Sequence, residues 1–265
     1  MSFLTLDHVS HHYFSKVSYT KALDNISISV KEGEFISLLG PSGCGKSTLL
    51  SIIAGIIQQT EGLVSLQGKP TTESEMEIGY MLQQDYLFPW KTILDNVLLG
   101  PKINHKLSDE LQKKAVQLLN EVGLKDVQMK YPSELSGGMR QRVALVRTLI
   151  NNPKILLLDE PFSALDYQTK LNLEDLVADL LKSYHKTAIL VTHDIGEAIA
   201  MSDRIFMMNA NPGSIAKIYE IPIELRNEVP FLVRRHPKYQ IIFDKIWDAL
   251  ETNESEQKAV EIPDE

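Results

Sequence analysis

The sequence predicts an α/β fold, a mostly parallel core interrupted by a helical lobe, on three observations. The apolar run Phe35 to Leu39 stops at Gly40 and passes through a glycine-rich loop into a helical pattern, which is strand, loop, helix. Three further apolar runs, Lys154 to Leu158, Thr187 to Val191 and Arg204 to Met208, are separated by helical stretches beginning near Tyr167 and Ile195. Strands alternating with helices imply a mostly parallel sheet covered on both faces. From about 86 to 151 the reading is mostly helical, so a helical lobe is inserted in the core.

Taken in order, residues 2 to 9 and 26 to 30 carry short apolar runs of strand type. After Gly40 the pattern Ser47 to Ala54 is helical and ends at Gly55, a residue suited to a left-handed cap. Ser108 can cap a helix with Leu111, Ala115, Leu118 and Val122 at three-to-four spacing, closed by Gly123. Another helix carries Met139, Val143, Val146 and Ile150. After Pro237 the segment Lys238 to Leu250 sets Ile242, Ile246 and Ala249 beside Phe243, Trp247 and Leu250, an amphipathic helix. Residues 251–265 hold six carboxylates against Lys258 alone and read as a frayed, solvated tail. The boundaries that follow are a main domain over 1–230, with the helical part at about 86–151, and a C-terminal segment over 231–265.

At 265 residues, 43% hydrophobic and 23% charged, the chain can bury one sizeable core or two closely joined lobes. Its formal charge is −8 and it has no long basic run, so nucleic acid is not the leading partner. The single Cys44 has no internal disulfide partner, and the start of the chain lacks the pattern of a signal peptide. Nor does any stretch approach the eighteen or so apolar residues of a membrane helix. A cytosolic location follows as an expectation, with any membrane role exercised through a partner.

Two motifs carry chemistry in their own right. Gly40-Pro41-Ser42-Gly43-Cys44-Gly45-Lys46-Ser47-Thr48 fits the phosphate-loop pattern between a strand and a helix. Its glycines let backbone N–H groups point at phosphate oxygens, and the helix start adds partial positive charge. Lys46 is placed to contact the β- and γ-phosphates, and the Ser47 hydroxyl to ligate Mg²⁺. The second motif is the apolar strand Ile155 to Leu158, which delivers Asp159 and Glu160 to its carboxyl end, where ligands sit in open α/β sheets. Asp159 suits Mg²⁺, directly or through water, and Glu160 suits polarisation of an attacking water. Cys44 lies inside the loop, either as a reactive thiol or as a small residue the loop tolerates.

Leu135-Ser136-Gly137-Gly138-Met139-Arg140-Gln141-Arg142 resembles the signature motif of ABC-type ATPases. With it the chain, over roughly residues 2 to 225, is similar to that family, in which a RecA-like, mostly parallel core joins an N-terminal antiparallel β part and a helical subdomain. Ser136, Gly137, Gly138 and Gln141 belong to this signature, whose glycine backbone at a helix start offers a second anion-binding surface. The resemblance implies a head-to-tail homodimer in which each signature closes on ATP, with Mg²⁺, held by the other subunit's phosphate loop. It further implies that Gln83 senses Mg²⁺ and water, that Asp166 of Ser163-Ala164-Leu165-Asp166 lies at the dimer interface, and that His193 contacts the γ-phosphate and orients water. Tyr13 matches the family's adenine-stacking aromatic.

With neither a membrane domain nor a second ATPase unit in the sequence, an importer subunit is the remaining type. Asp85-Tyr86-Leu87-Phe88-Pro89-Trp90 and His236-Pro237-Lys238-Tyr239 resemble segments of the nitrate, sulfonate and taurine importer group, with Phe88 where Leu is usual. In that group the former segment helps form a groove for a short cytoplasmic helix of the membrane permease, with Tyr86, Leu87 and Trp90 as anchors, although Trp90 could equally pack inside its own lobe. The resemblance thus implies peripheral attachment at the cytoplasmic face of the membrane and, indirectly, an extracytoplasmic solute-binding protein. An ATP-gated clamp on a soluble partner shares every motif; a metabolic kinase is disfavoured by the signature.

Overall fold

The computed structural model describes residues 2–16, 18–74 and 77–260, with side chains described to Asn253. Its elements in chain order are β1 (Leu4–Phe14), β2 (Tyr19–Val30), β3 (Phe35–Leu39), α1 (Lys46–Ile53), β4 (Glu61–Leu66), β5 (Lys69–Pro70) and β6 (Ile78–Met81). They continue as α2 (Ile93–Val97), α3 (Leu99–Ile103), α4 (Asp109–Glu121), α5 (Gly137–Leu149), β7 (Ile155–Asp159), α6 (Tyr167–Ser183) and β8 (Thr187–Thr192). The last are α7 (Ile195–Met201), β9 (Arg204–Asn209), β10 (Ser214–Glu220), α8 (Ile223–Arg226), α9 (Pro230–Val233) and α10 (Pro237–Val260). Two compact units divide them: the described parts of Met1–Glu75 with Thr187–Glu265, and of Met76–Lys186.

The first unit holds an antiparallel sheet in the order β2-β1-β4-β5. Alternation alone reads only residues 2 to 9 and 26 to 30 as strand, whereas β1 and β2 run for 11 and 12 residues. A bulge at Asp7–His8, with His8 at φ 50°, is the reason, because it shifts the buried positions from Leu4 and Leu6 to Val9 and breaks the two-residue period. Gly62 of β4 faces this bulge, where a Cβ would lie 2.4 Å from the His8 carbonyl oxygen. The same unit contains β10, β9, β3 and β8 in that order, with β3 parallel to β8 and to β9 and with β10 antiparallel to β9. β3 and β8 are buried along their whole length, as strands covered on both faces must be.

In the second unit β6 and β7 pair in parallel, and α5 packs against β6, α2, α4 and α6. Gly123 adopts φ 75° after α4, capped at its start by Ser108, whose Oγ accepts the Leu111 N–H at 3.2 Å.

The C-terminal helix is longer than the amphipathic segment Lys238 to Leu250 read from the sequence. α10 runs on through residues 251–260, where Glu, Gln, Lys and Ala favour helix and no Gly or Pro interrupts. The rest of that tail, 261–265, lies outside the described residues. α10 packs on α7 in the first unit, burying Ile246 fully. No helix among the described residues is long and apolar enough to cross a membrane.

Candidate nucleotide-binding and hydrolysis residues

In the first unit, β3 feeds Gly40 and the loop turns into α1 through Gly43 and Gly45, both left-handed at φ 81° and 89°. The floor of the loop is closely walled. A Cβ on Gly40 would stand 2.8 Å from the Met208 carbonyl oxygen, and one on Gly45 would stand 2.5 Å from Leu23 Cδ2. A Cβ on Gly43 would meet nothing within 4 Å, so this side of the loop is open. Lys46 is 6% exposed, and its Nζ donates to the Gly40 and Pro41 carbonyl oxygens at 2.7 and 2.8 Å. The first turn of α1 carries no acidic residue, so the helix start keeps its positive potential. Open backbone, a lysine ammonium, two hydroxyls at Ser47 and Thr48 and a helix start form a donor set that fits a nucleotide triphosphate and its Mg²⁺. Tyr13 on β1 reaches the same helix, its phenol oxygen 3.3 Å from Thr48 Oγ1, and its ring meets the edge of His11 at 4.6 Å between centroids. His193 lies exposed just after β8.

In the second unit, the fully buried β7 presents Asp159, whose Oδ2 accepts from the Tyr80 hydroxyl at 3.2 Å. Glu160 follows at φ 45°, a conformation rare for a residue with a Cβ. Its carbonyl oxygen accepts from Ser163 Oγ at 3.0 Å, and that hydroxyl oxygen accepts in turn from Gln83 Nε2 at 3.1 Å. Gln141 Nε2 donates to the Gln83 carbonyl oxygen at 2.9 Å. A continuous chain of hydrogen bonds therefore links α5, Gln83, Ser163 and the backbone of Glu160.

Ser136 caps α5, its Oγ accepting the Met139 N–H at 3.3 Å. A Cβ on Gly138 would lie 2.4 Å from Thr169 Cγ2, so this glycine permits α6 to approach; one on Gly137 would meet only Arg140 Nη2 at 3.9 Å. Asp166 caps α6, with Oδ1 accepting the Thr169 N–H at 3.1 Å, and hydrogen bonds from Thr169 hold its carboxyl below the usual range.

A family model described as ABC transporter matches residues 23–163. An uncharacterized ABC transporter ATP-binding protein of Bacillus subtilis (strain 168), YtlC, is 58% identical over 258 residues, 97% of this chain and 99% of that relative. The chain belongs to the ABC transporter ATP-binding family. The aliphatic sulfonates import ATP-binding protein SsuB of Bacillus licheniformis is 41% identical over 249 residues, 93% of this chain and 94% of that relative. Among solved structures, the dimeric post-hydrolysis state of the ATP-binding cassette MJ0796 bound to ADP and Pi matches with a TM-score of 0.74 at 34% identity, covering 83% of this chain and 99% of that one. This ABC chain is accordingly an ATPase, with ATP and Mg²⁺ as its ligands and an ABC-type α/β fold.

The structure of this ABC chain turns two residues of the quoted motifs inward. Gln141 is 4% exposed, and its amide Nε2 donates to the Gln83 carbonyl oxygen and braces the segment after β6. Leu87 is 7% exposed and is no surface anchor, whereas Tyr86 and Trp90 are 60% and 70% exposed. Arg147 holds this segment from α5 by donating to the Asp85 and Tyr86 carbonyl oxygens. Tyr80 and Ser163 escaped the motif reading as site residues; Ser163 stands inside a quoted motif, but nothing in the sequence marks its bond to Gln83.

Cys44 is fully buried, and burial pushes its thiol up despite the opposing Lys46 cation. The folded loop thus keeps the neutral thiol, the unreactive form. Alkylation of the native protein, followed by mass spectrometry, is expected to run about 100-fold slower than that of a free thiol and to recover on unfolding. Because the folded thiol holds its proton more tightly, this group's contribution to stability is complete below the ordinary thiol pKa. It is lost as pH rises through the folded value.

Proposed function

We propose that this ABC ATPase energises uptake of a small solute of the sulfonate, taurine or nitrate type through a separate membrane permease. The observation that carries the reading is similarity along nearly the whole chain to an aliphatic sulfonate import ATP-binding protein. The match to a dimeric cassette supports a two-fold homodimer around two ATP molecules. In this reading Tyr13 stacks on adenine, residues 40–48 hold the phosphates, and Ser47, Gln83 and Asp159 serve Mg²⁺. Glu160 polarises the attacking water and His193 orients it. Ser136, Gly137 and Gly138 close on the partner's ATP, and Asp166 lies at the dimer interface. The exposed Tyr86 and Trp90 offer the permease rigid aromatic anchors at the cytoplasmic face, and an extracytoplasmic binding protein delivers the solute.

A pull-down from host membranes with the Glu160→Gln chain and ATP tests this. A multi-span permease is the expected partner, and Trp90→Ala is expected to weaken its capture about tenfold or more. Capture of soluble protein alone would sink the importer reading in favour of a gated clamp.

A further inference from the structure

β8 ends at Thr192, 2% exposed, and α7 begins at Ile195, so His193 sits in a turn of two residues. The next residue, Asp194, caps α7 by accepting the Glu197 N–H at 3.1 Å. In an ordinary capping box the acidic side chain three positions on would return to the cap residue's own N–H. Here a hydroxyl is inserted between them. The Asp194 N–H donates to Thr192 Oγ1 at 3.0 Å, and that hydroxyl donates to Glu197 Oε2 at 2.5 Å.

Glu197 is only 3% exposed, and a carboxylate so buried is costly unless hydrogen-bonded. The hydroxyl has one proton to give and lone pairs to receive with, so the ring of contacts has one favourable arrangement. It brackets His193, with Thr192 before it and Asp194 after it. The turn also borders a pocket of about 500 Å³ that His193, Asp194 and Ile195 share with Phe243, Trp247 and Leu250 of α10. That pocket leaves one side of the turn open, and the hydroxyl relay ties the turn's backbone to α7.

We propose that Thr192 and Glu197 are positioning residues for His193, holding its backbone through the relay so that the imidazole is presented in one place. This rests on the reading of His193 as the group that orients the attacking water. The relay touches no substrate; it acts through the histidine. Its loss therefore lowers the rate of the chemical step while leaving nucleotide binding alone.

The test uses the full chain, Thr192→Val, Thr192→Ser and His193→Ala, with steady-state ATP hydrolysis and hydrogen exchange at the Asp194 amide. Thr192→Val keeps the shape and removes the hydroxyl. It is expected to lower kcat about tenfold or more with KM for ATP within about twofold, and to speed Asp194 exchange about tenfold. Thr192→Ser is expected to restore both. An unchanged kcat and unchanged exchange in Thr192→Val, or a Thr192→Ser chain as impaired as Thr192→Val, would overturn the proposal. So would a rise in KM matching the fall in kcat/KM. If His193→Ala hydrolyses ATP at the parental rate, the role given to His193 itself is wrong. If His193→Ala is inactive while Thr192→Val is unimpaired, the relay alone is wrong.

Discussion

Glu160→Gln is expected to abolish turnover while leaving ATP binding intact, and to accumulate an ATP-bound dimer. The substitution preserves shape and removes only the basic carboxylate, whose loss as a general base costs about 100- to 10,000-fold. Its backbone is held independently of that carboxylate. The Glu160 carbonyl accepts from the Ser163 hydroxyl, which is itself held by Gln83, and none of these bonds involves the Glu160 side chain. The left-handed backbone at Glu160 is therefore kept in the variant. Light scattering with and without ATP, beside a phosphate-release assay, checks both halves. A variant that hydrolyses at the parental rate and stays monomeric with ATP would remove Glu160 from the mechanism.

Lys46→Ala is expected to act one step earlier, on binding itself. The ammonium is 6% exposed and donates to two loop carbonyls, so it both holds the loop's shape and supplies its positive charge. Losing a charged hydrogen-bond donor costs about 1.5–3 kcal/mol per bond, which is roughly ten- to a hundred-fold in ATP affinity if one phosphate contact is lost. The same truncation leaves the Gly40 and Pro41 carbonyls without this donor, so the nucleotide-free protein is expected to melt at a lower temperature as well. Titration calorimetry with ATP and thermal unfolding without it separate the two effects. Parental affinity in Lys46→Ala would mean that the loop is not the phosphate cradle.

These two residues were legible in the sequence because their chemistry is local. A phosphate loop is built by consecutive backbone groups, so spacing from Gly40 to Thr48 carries nearly all of its geometry. The adjacent Asp159 and Glu160 follow the same logic, since β7 is buried along its length and reads as an unbroken apolar run. β4, β5 and β10 carry no strand signal in the sequence. β5 has only two residues, and the other two are largely exposed, so none carries a continuous or alternating apolar signal. In β1 the bulge changes the parity of the pattern midway, so alternation marks only its first part as strand.

The sequence alone thus determined the family, the loop, the acidic strand end and the cap at Ser108, all of which depend on residues a few positions apart. Tertiary structure decided where longer-range side chains point. It set Gln141 against the Gln83 carbonyl, 58 positions away, joined Gln83 to Ser163 across 80 positions, and brought Tyr80 to Asp159 across 79. It also buried Leu87 and left its neighbour Trp90 at the surface. Burial and hydrogen bonding between distant segments depend on which faces meet once the chain has folded, and no local spacing encodes that.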